Sequence, residues 1–332
     1  MNNLYLNEVI TSVTDLSNHY VFRDGYAFTS IDEHTNVYDA IIIRFPPRAQ
    51  RETTRMPVMG HSPEEHIALI NEYKLEKAKI IAEDISFIRR CPTLKYLDIA
   101  PADTAPQNFD YSPLYEMPEI HSLTCQTHYG GLREPFSTTV DCARIRGLKD
   151  LFVRGTGYLN VDRVETLENL FVSSYPKRRN LNGLVSGKHL KKLTFLSCNF
   201  ESLDGIEAFS HLQSLNIWYN RTLSDISALH HTAPSLRGLS IENCPKITDF
   251  SALSSLTRME ALSLEGKNDI PDLNFLNHMK SLRFFTCTMN VADGDLTSCL
   301  SVPYVDIRGR KHYNLKNKDL PKQADPRGFS LI

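Results

Sequence analysis

The chain has 332 residues and a formal net charge of −2, from 37 Lys and Arg against 39 Asp and Glu. This balance argues against a nucleic-acid partner or an acidic membrane surface. No stretch of about 18 apolar residues is present to cross a membrane, and MNNLYLNEVITSV lacks the charged and apolar regions of a secretion signal. We therefore expect a cytoplasmic protein, and the sequence leaves non-classical secretion open.

Residues 1–74 do not show the repeat that follows them, and we predict that they cap the first layer of its core. The stretch YVFRDGYAF (residues 20–28) predicts a β-hairpin, because Asp24-Gly25 is a strong turn signal. We predict a buried strand over residues 37–43 and an exposed loop over residues 46–63. The alternative is an independent small domain in residues 1–74, since a segment of this length can fold alone.

A helix is predicted to begin just before the repeats. Ser62 is followed by Pro63 and two glutamates, which is typical of an N-cap and the first helical turn. Ile67, Ile70 and Leu75 give this helix an apolar face. The first repeat is predicted to start at its end.

Residues 75–310 repeat one short phrase, and we assign them to a single repeat domain. In LQSLNIWYN (residues 212–220), Leu215 and Ile217 alternate, so both lie on one face of a strand. One such strand cannot bury its apolar face alone, so neighbouring repeats must stack. The phrase recurs with a period of about 23 residues, starting at Leu190, Leu212, Leu236 and Met259.

A second apolar phrase follows each strand, with a spacing of three residues that favours a 3₁₀-helix or a single helical turn. In SDISAL and TDFSAL, an Asp, Ser or Thr stands where a short helix needs its N-cap. Residues 311–332 follow the last repeat as a polar tail. We expect this tail to cover the last core layer through Phe329, Leu331 and Ile332.

The combined pattern LxxLxLxx(N/C)xxIxDxSxL resembles the leucine-rich repeat, most of all the bacterial, internalin-like class. The resemblance implies an α/β repeat solenoid, a curved horseshoe with a parallel β-sheet on its concave face. Short 3₁₀ or helical turns would form its convex face, and an α+β cap its N-terminal end. The resemblance is strong from Leu190 to Cys287 and weaker outside these residues.

The ninth place of the phrase lies where the chain turns out of the strand, and buried backbone groups there need partners. An Asn amide both donates and accepts hydrogen bonds, and a Cys is small and tolerates burial. We predict a structural ladder formed by Cys198, Asn220, Cys244 and Asn290. Irregular turns are expected where other residues take this place, namely at His128, Thr156, Tyr175 and Lys267.

The sequence carries no motif of a common catalytic or metal-binding class, since GxxxxGK[ST], HExxH and GxSxG are all missing. The seven cysteines form no CxxC pair. This favours reduced structural thiols over a disulfide framework or a metal site. We therefore predict no catalytic residue, no metal ligand, no cofactor and no enzyme activity.

The third, fifth and seventh places of the phrase alternate with the inward residues and are predicted to face the concave side. Large apolar groups stand there on four consecutive strands about 4.8 Å apart, at Phe152, Phe171, Leu196 and Trp218. With Asn216 and the charged Arg154, Lys192, Glu242 and Glu265, they form the predicted partner-binding set. The alternative is that a loop near Gly130 or Lys177, or the tail, covers the aromatic rings.

These patterns predict a non-catalytic, monomeric scaffold that binds another protein on its concave face. One alternative is an effector or toxin-neutralising (immunity-type) protein with a foreign partner. An alternative of another class is an enzyme or ligand-binding module in residues 1–74, with the repeats as a targeting arm. Nucleic-acid binding through Lys177-Arg178-Arg179 is disfavoured, because basic clusters are usually solvated surfaces and the net charge is negative.

Overall fold

The computed structural model describes residues 21–23, 26–28, 31–32, 37–38, 40–45, 61–102, 104–129, 136–174, 179–184 and 186–323. The chain divides into two compact units. Among the described residues, the first unit ends at Thr166 and the second begins at Leu167. This division falls inside the predicted repeat domain, and the boundaries at residues 74 and 310 stay predictions.

The first unit opens with antiparallel strands. β1 (Val21–Arg23) pairs with β2 (Tyr26–Phe28), which confirms the predicted hairpin, although its turn residues lie outside the described ones. β3 (Ile31–Asp32) and β4 (Val37–Tyr38) form a separate antiparallel pair, and β2 also pairs with β5 (Ile41–Phe45). The single strand predicted over residues 37–43 is therefore two strands that belong to two sheets.

One α-helix, α1 (Pro63–Glu72), begins where the sequence predicted it. The backbone N–H of Glu65 donates to Ser62 Oγ at 3.3 Å, and the backbone N–H of Ser62 donates to Glu65 Oε2 at 2.7 Å. This reciprocal capping box satisfies backbone groups that the helix itself leaves without partners. Ile67 and Ile70 are buried on its apolar face.

Parallel pairing in the first unit runs from β5 through β6 (Lys77–Ala82), β7 (Tyr96–Pro101) and β8 (Ser122–Cys125) to β12 (Asp150–Arg154). Because β5 already pairs in parallel with β6, this stacking starts inside the segment predicted as a cap. The capping role of residues 1–74 therefore stays a prediction. Two short pairs complete the unit: β9 (His128–Tyr129) with β10 (Phe136–Ser137), and β11 (Val140–Asp141) with β13 (Tyr158–Leu159).

The second unit is built on a sheet whose strands are all parallel and follow chain order. Its strands are β14 (Asn169–Ser173), β15 (Lys192–Leu196), β16 (Ser214–Trp218), β17 (Gly238–Glu242), β18 (Ala261–Glu265), β20 (Phe284–Cys287) and β22 (Tyr304–Ile307). A short parallel pair lies beside it, β19 (Asp269–Ile270) with β21 (Asn290–Val291). Stacked repeats in one continuous register confirm the predicted solenoid.

Two rows of apolar side chains run through this sheet, one at the fourth and one at the sixth place of the phrase. Leu193, Leu215 and Leu239 are partners in register, as are Phe195, Ile217 and Ile241. All six are buried, with exposures between 0 and 2%. Each inward side chain therefore packs between its equivalents on the two neighbouring strands.

Short 3₁₀-helices follow the strands, as the second apolar phrase predicts. In the second unit they span Ile206–Ala208, Ser227–Thr232, Ser251–Ser255, Asn274–His278, Thr297–Ser301 and Asn317–Asp319. Asp225 Oδ1 accepts from the N–H of Ser227 at 2.8 Å, and Asp249 Oδ1 accepts from the N–H of Ser251 at 2.8 Å. The N-cap residues are Ile226 and Phe250, without a side-chain cap, so each aspartate lies one residue before the N-cap, not at it as predicted, and forms an Asx turn into the helix.

The chain leaves four strands of this unit through a residue in the left-handed region. Ser174, Ser197, Tyr219 and Asn243 have φ angles between 51° and 58°. Each is the eighth residue of its phrase, and its N–H donates to a carbonyl of the following strand, as Tyr219 does to Glu242 at 2.8 Å. These bonds tie successive turns together at one edge of the sheet.

The tail packs against the last strand as far as it is described. The N–H of Val305 donates to the Pro321 carbonyl at 3.0 Å, and Lys322 forms an antiparallel bridge with Tyr304. Leu320 is buried there. The predicted contacts of Phe329, Leu331 and Ile332 lie outside the described residues. None of the helices in the described segments is long and apolar enough to span a membrane.

The inward rows give a matched test of the core. Leu215→Ala is expected to lower the free energy of unfolding by about 2–5 kcal/mol, because Leu215 is fully buried between two leucines. Leu300→Ala, on a residue that is 51% exposed, is expected to change it by less than about 0.5 kcal/mol. Urea unfolding followed by circular dichroism measures both, and equal midpoints for the two variants would contradict the assignment of Leu215 to the core.

Candidate functional site

We call the side of each sheet opposite the inward rows the distal face; it corresponds to the predicted concave side. In the second unit it is formed by alternate residues of β14 to β18: Asn169, Phe171, Ser173, Lys192, Thr194, Leu196, Ser214, Asn216, Trp218, Gly238, Ser240, Glu242, Ala261, Ser263 and Glu265. Parallel register brings Trp218 beside Leu196 and Glu242. The sequence therefore assigned these side chains to the right face.

The degree of exposure differs from the prediction. Trp218 is 4% exposed and Phe171 is 8% exposed, so neither ring stands open to solvent as expected. Asn216 is also buried, at 2%. Leu196 and Lys192 are half-buried. Alternation along a strand determines the side on which a residue lies, but burial depends on what lies above that side.

Polar side chains on this face bond to one another across the strands. Trp218 Nε1 donates to Ser240 Oγ at 3.1 Å, and Asn216 Nδ2 donates to Thr194 Oγ1 at 3.0 Å. Thr286 Oγ1 donates to Ser263 Oγ at 2.9 Å. These bonds satisfy polar groups that burial would otherwise leave without partners.

An acidic pair lies on this face at the carboxyl ends of β17 and β18. Glu242 and Glu265 are in register on neighbouring strands, and both are half-buried. Ser263 Oγ donates to Glu265 Oε1 at 3.1 Å, and Asn243 Nδ2 donates to Glu242 Oε1 at 3.2 Å. No Lys or Arg among the described residues forms an ion pair with either carboxylate. The pair is therefore a local negative surface.

Tyr219 is a surface residue that sequence reasoning missed. It is 46% exposed, and its φ of 58° is uncommon for a bulky side chain. A hydrogen bond to the Glu242 carboxylate raises the pKa of the Tyr219 phenol. The signal was its position: the eighth place of the phrase holds Ser, Asn or Gly in the other regular repeats.

The first unit carries a charged distal face of its own. Lys79 Nζ lies 3.5 Å from Asp98 Oδ2. The Arg154 guanidinium lies 5.4 Å from the centre of the Phe152 ring, close enough for a cation–π interaction. Phe152 is half-buried and Arg154 is exposed. Burial raises the pKa of the Asp98 carboxyl, and the positive charges of Lys79 and Arg154 reduce this effect without cancelling it.

Sequence reasoning missed Lys79 and Asp98, although their signal was present. Asp98 is the fifth residue of a phrase that begins at Leu94, so its place predicts a distal side chain. Lys79 is its partner in register on β6. The weakness of the repeat in this part of the chain concealed both positions.

The ladder forms at three of its four predicted positions. Asn220 Oδ1 accepts from the backbone N–H groups of Thr222 and Leu223, both at 3.0 Å. Cys198 Sγ donates to the Val172 carbonyl at 3.3 Å, and Cys244 Sγ donates to the Ile217 carbonyl at 3.6 Å. These side chains satisfy backbone groups inside the turn, as predicted.

The next two repeats differ from the predicted ladder. Asn268, not Lys267, supplies the amide, and its Nδ2 donates to the carbonyls of Cys244 and Ile247 at 2.9 and 2.8 Å. Asn290 does not take the inward place, because its Nδ2 donates to Asp269 Oδ1 in an exposed bond and the buried neighbour is Met289. The first of these repeats places its ladder amide one residue later than the phrase does, and the second places its buried side chain one residue earlier.

Irregular turns in the first unit use tyrosine hydroxyls instead. Tyr158 Oη donates to the carbonyl of Cys125 and accepts from its N–H at 3.1 Å. Tyr111 Oη donates to the Gln126 carbonyl at 2.9 Å. Burial raises the pKa of both phenols, so these groups are hydrogen-bonding partners of the backbone.

The cysteines lie in the interior of the described fold. All seven are free and buried. Burial raises the pKa of Cys244 to about 11 and that of Cys142 to about 12, so neither thiol forms a nucleophilic thiolate near neutral pH. No group of three His, Cys, Asp or Glu residues in the described segments is arranged to hold a metal ion.

Comparison with known proteins gives a match in structure alone. No protein-family model matches the sequence, and no curated protein matches it. The functional domain of InlJ from Listeria monocytogenes, which includes a cysteine ladder, aligns with a TM-score of 0.51 and 16% identity over 74% of this chain and 50% of that chain.

Two further solved structures align with lower scores. An internalin (InlF) of Listeria monocytogenes has a TM-score of 0.44 and 18% identity over 73% of this chain and 72% of its own. A leucine-rich repeat protein of Leptospira interrogans has a TM-score of 0.45 and 16% identity over 72% of this chain and 68% of its own.

Repeat register, turn chemistry and the alignment with the InlJ domain lead to one conclusion about architecture. The chain has the fold of a leucine-rich repeat solenoid of the internalin-like class. Its parallel strands carry the inward leucines and its 3₁₀-helices follow them, as the repeat predicted. The fold by itself does not define a role, so any function must be argued from the surface residues of this particular chain.

The ladder can be tested with a matched pair of substitutions. Asn220→Ala is expected to lower the free energy of unfolding by about 2 kcal/mol or more, because one buried and one part-buried N–H group lose their acceptor. Asn290→Ala is expected to cost at most about 0.5 kcal/mol, since its bond is exposed. Chemical denaturation of both variants checks this, and a larger loss at Asn290 would contradict the observed ladder.

The pKa of Asp98 predicts a dependence of stability on pH. Because burial raises this pKa in the folded state, the contribution of Asp98 to stability is complete below its unfolded pKa and is lost as the pH rises through the folded pKa. Asp98→Asn is therefore expected to melt above wild type at pH 7 and together with it below about pH 3.5. Melting curves across this range provide the measurement, and a less stable variant at pH 7 would show that the Lys79 ion pair outweighs desolvation.

Proposed function

We propose that this chain is a non-catalytic scaffold that binds another protein through the distal face and adjoining turn edge of its second unit. The observation that carries the proposal is the row formed by Leu196, Tyr219, Glu242 and Glu265 at the carboxyl ends of β15 to β18. An aliphatic group, an exposed aromatic ring and two carboxylates lie side by side there. None of them fills the core between the sheet and the 3₁₀-helices.

Tyr219 is the residue of this row for which a role in binding is best supported. A left-handed backbone costs a residue other than glycine roughly 1–2 kcal/mol, and the other turns satisfy the same geometry with Ser or Asn. A large ring is therefore not needed to form the turn. Strained positions that persist with a bulky side chain support a role in recognition, and Tyr is common at interface hot spots.

Each of the remaining predicted residues has its own proposed role in binding a partner. Glu242 and Glu265 would orient a basic segment of the partner and increase its association rate. Lys192 would add the opposite charge at the start of β15. Trp218, Phe171 and Asn216 are buried in this structure, so a partner would reach them only after a local rearrangement of this face.

Phe152 and Arg154 form a second proposed contact surface, on the first unit. The guanidinium above the ring is exposed and available to a carboxylate of a partner. Enzyme activity forms no part of the proposal. The buried thiols with raised pKa values and the described polar groups of both distal faces support binding rather than catalysis.

Tyr219→Gly separates binding from folding. The variant is expected to weaken the affinity for a purified partner at least tenfold, about 1.4 kcal/mol, because the exposed ring is lost. Its stability is expected to stay within about 1 kcal/mol of wild type, since relief of the left-handed strain offsets the greater entropy that glycine loses on folding. A partner captured with wild-type protein would be purified and titrated against each variant by calorimetry.

Ser197→Gly is the matched control. It removes a small exposed side chain from the equivalent left-handed turn one strand earlier. Its affinity for the partner is expected to remain within twofold of wild type. If Tyr219→Gly binds like wild type, or if Ser197→Gly loses as much affinity, the proposed row is not the binding site.

A further inference from the structure

The last strand of the sheet, β22, has the tail along its outer edge in the place of a further strand. On its inner side β22 pairs in parallel with β20. On its outer side the N–H of Val305 donates to the Pro321 carbonyl at 3.0 Å, and the N–H of Gln323 donates to the Pro303 carbonyl at 2.9 Å. An uncovered edge strand is a template for pairing with another chain. The tail therefore closes this edge of the sheet.

Side chains of the tail supply the bonds that its backbone cannot make. Pro321 has no N–H, so it cannot donate to the Val305 carbonyl as a residue of a regular antiparallel strand would. Lys322 Nζ donates to this carbonyl instead. The N–H of Ile307 donates to Asn317 Oδ1 at 3.2 Å. Only two of these four bonds at the outer edge thus join backbone to backbone.

The contact between this segment and β22 is small. Leu320 is the only buried residue of residues 316–323. The side chain of Lys322 is 40% exposed, so its ion pair with Asp306, at 3.6 Å, adds little to the stability of the contact. Few buried contacts and exposed hydrogen bonds are typical of a segment that opens locally.

The chain just before this segment is held by the preceding coil instead. Tyr313 is buried, and its Oη accepts from the N–H of Val291 at 2.9 Å. Asn314 Oδ1 accepts from the N–H of Leu296, also at 2.9 Å. Neither bond involves the outer edge of β22. Residues 316–323 can therefore leave this edge while the coil before them stays in place.

The outward backbone groups of β22 are complementary to themselves. In a second copy placed antiparallel about a twofold axis at Val305, the N–H and the carbonyl of each Val305 would bond to those of the other. The N–H of Ile307 would meet the Pro303 carbonyl of the second copy. This register sets Asp306 beside Tyr304 of the second copy, so the two carboxylates do not oppose each other. The inward apolar row would continue across the axis through Val305.

We propose that residues 316–323 are a removable cap, and that the outer edge of β22 is a docking site for β22 of a second copy of this chain. The capped chain is then a monomer, and the uncapped chain forms a twofold dimer. This goes beyond the proposed function, because β22 lies apart from the row at β15 to β18. The dimer is expected to exchange with monomer, since one pair of short strands makes an interface far below the standard size.

The full chain would be compared with a variant that ends at Leu315, by sedimentation equilibrium over a range of concentrations. The full chain is expected to keep the mass of a monomer, whereas the variant approaches twice its monomer mass as its concentration rises. Hydrogen exchange of the Val305 and Ile307 amides is the second readout. Their protection in the variant is expected to increase with concentration, and circular dichroism would verify that the repeats remain folded.

A disulfide tests the cap without removing it. Tyr304 and Lys322 oppose each other in an antiparallel bridge of the closely spaced type, which a disulfide can span. Tyr304→Cys/Lys322→Cys is expected to be a monomer when oxidised, because the cap is locked. When reduced it is expected to dimerise, because the bonds of Lys322 are lost. Lys318→Ala is the matched control on an exposed residue of the same segment, and it is expected to remain a monomer.

A folded variant ending at Leu315 that stays a monomer at every concentration would overturn the proposal. Association without added protection of Val305 and Ile307 would also overturn it, because another surface would then form the contact. If the shortened chain does not fold, equal masses of the oxidised and reduced forms of Tyr304→Cys/Lys322→Cys would overturn it. None of these outcomes depends on the Tyr219→Gly titration, so the proposed binding row keeps its own test.

Discussion

The second unit depends on one constraint: each inward side chain must meet its equivalent on the strands before and after it. Leu215 is buried because Leu193 and Leu239 lie on either side in register, and a single coil has no means of burying it. The parallel sheet, the short helices and the ladder all serve to keep this register. Hydrogen bonds between strands and between turns also link each coil to the next, but the shared rows bury the apolar area between them.

The regular part of the fold was predictable because its signals are local. Alternation identified the inward leucines, and the aspartates of the second phrase identified the starts of the 3₁₀-helices. The wrong predictions about the ladder have equally physical causes. In one repeat the ladder amide lies one residue later, at Asn268 instead of Lys267. In the next repeat the buried side chain lies one residue earlier, at Met289, which leaves Asn290 in an exposed hydrogen bond. A local pattern carries no information about such shifts in register.

The candidate site was predictable only in part. Periodicity placed Trp218 and Asn216 on the correct face of the sheet, yet it could not reveal that the face is buried, because burial depends on segments distant in the sequence. Tyr219 was missed because the eighth place was treated as part of the turn. Its left-handed backbone, which the other turns combine with smaller side chains, is visible only in the coordinates.

The left-handed turns affect how widely the sequence can vary without loss of the fold. At the eighth place the main chain alone forms the hydrogen bond to the following strand, so the side chain there is released from any packing requirement. The inward rows, in turn, require only apolar side chains of suitable size. Two chains can thus share this architecture with few identical residues. This explains why the chain aligns with the InlJ domain at 16% identity while no family model matches its sequence.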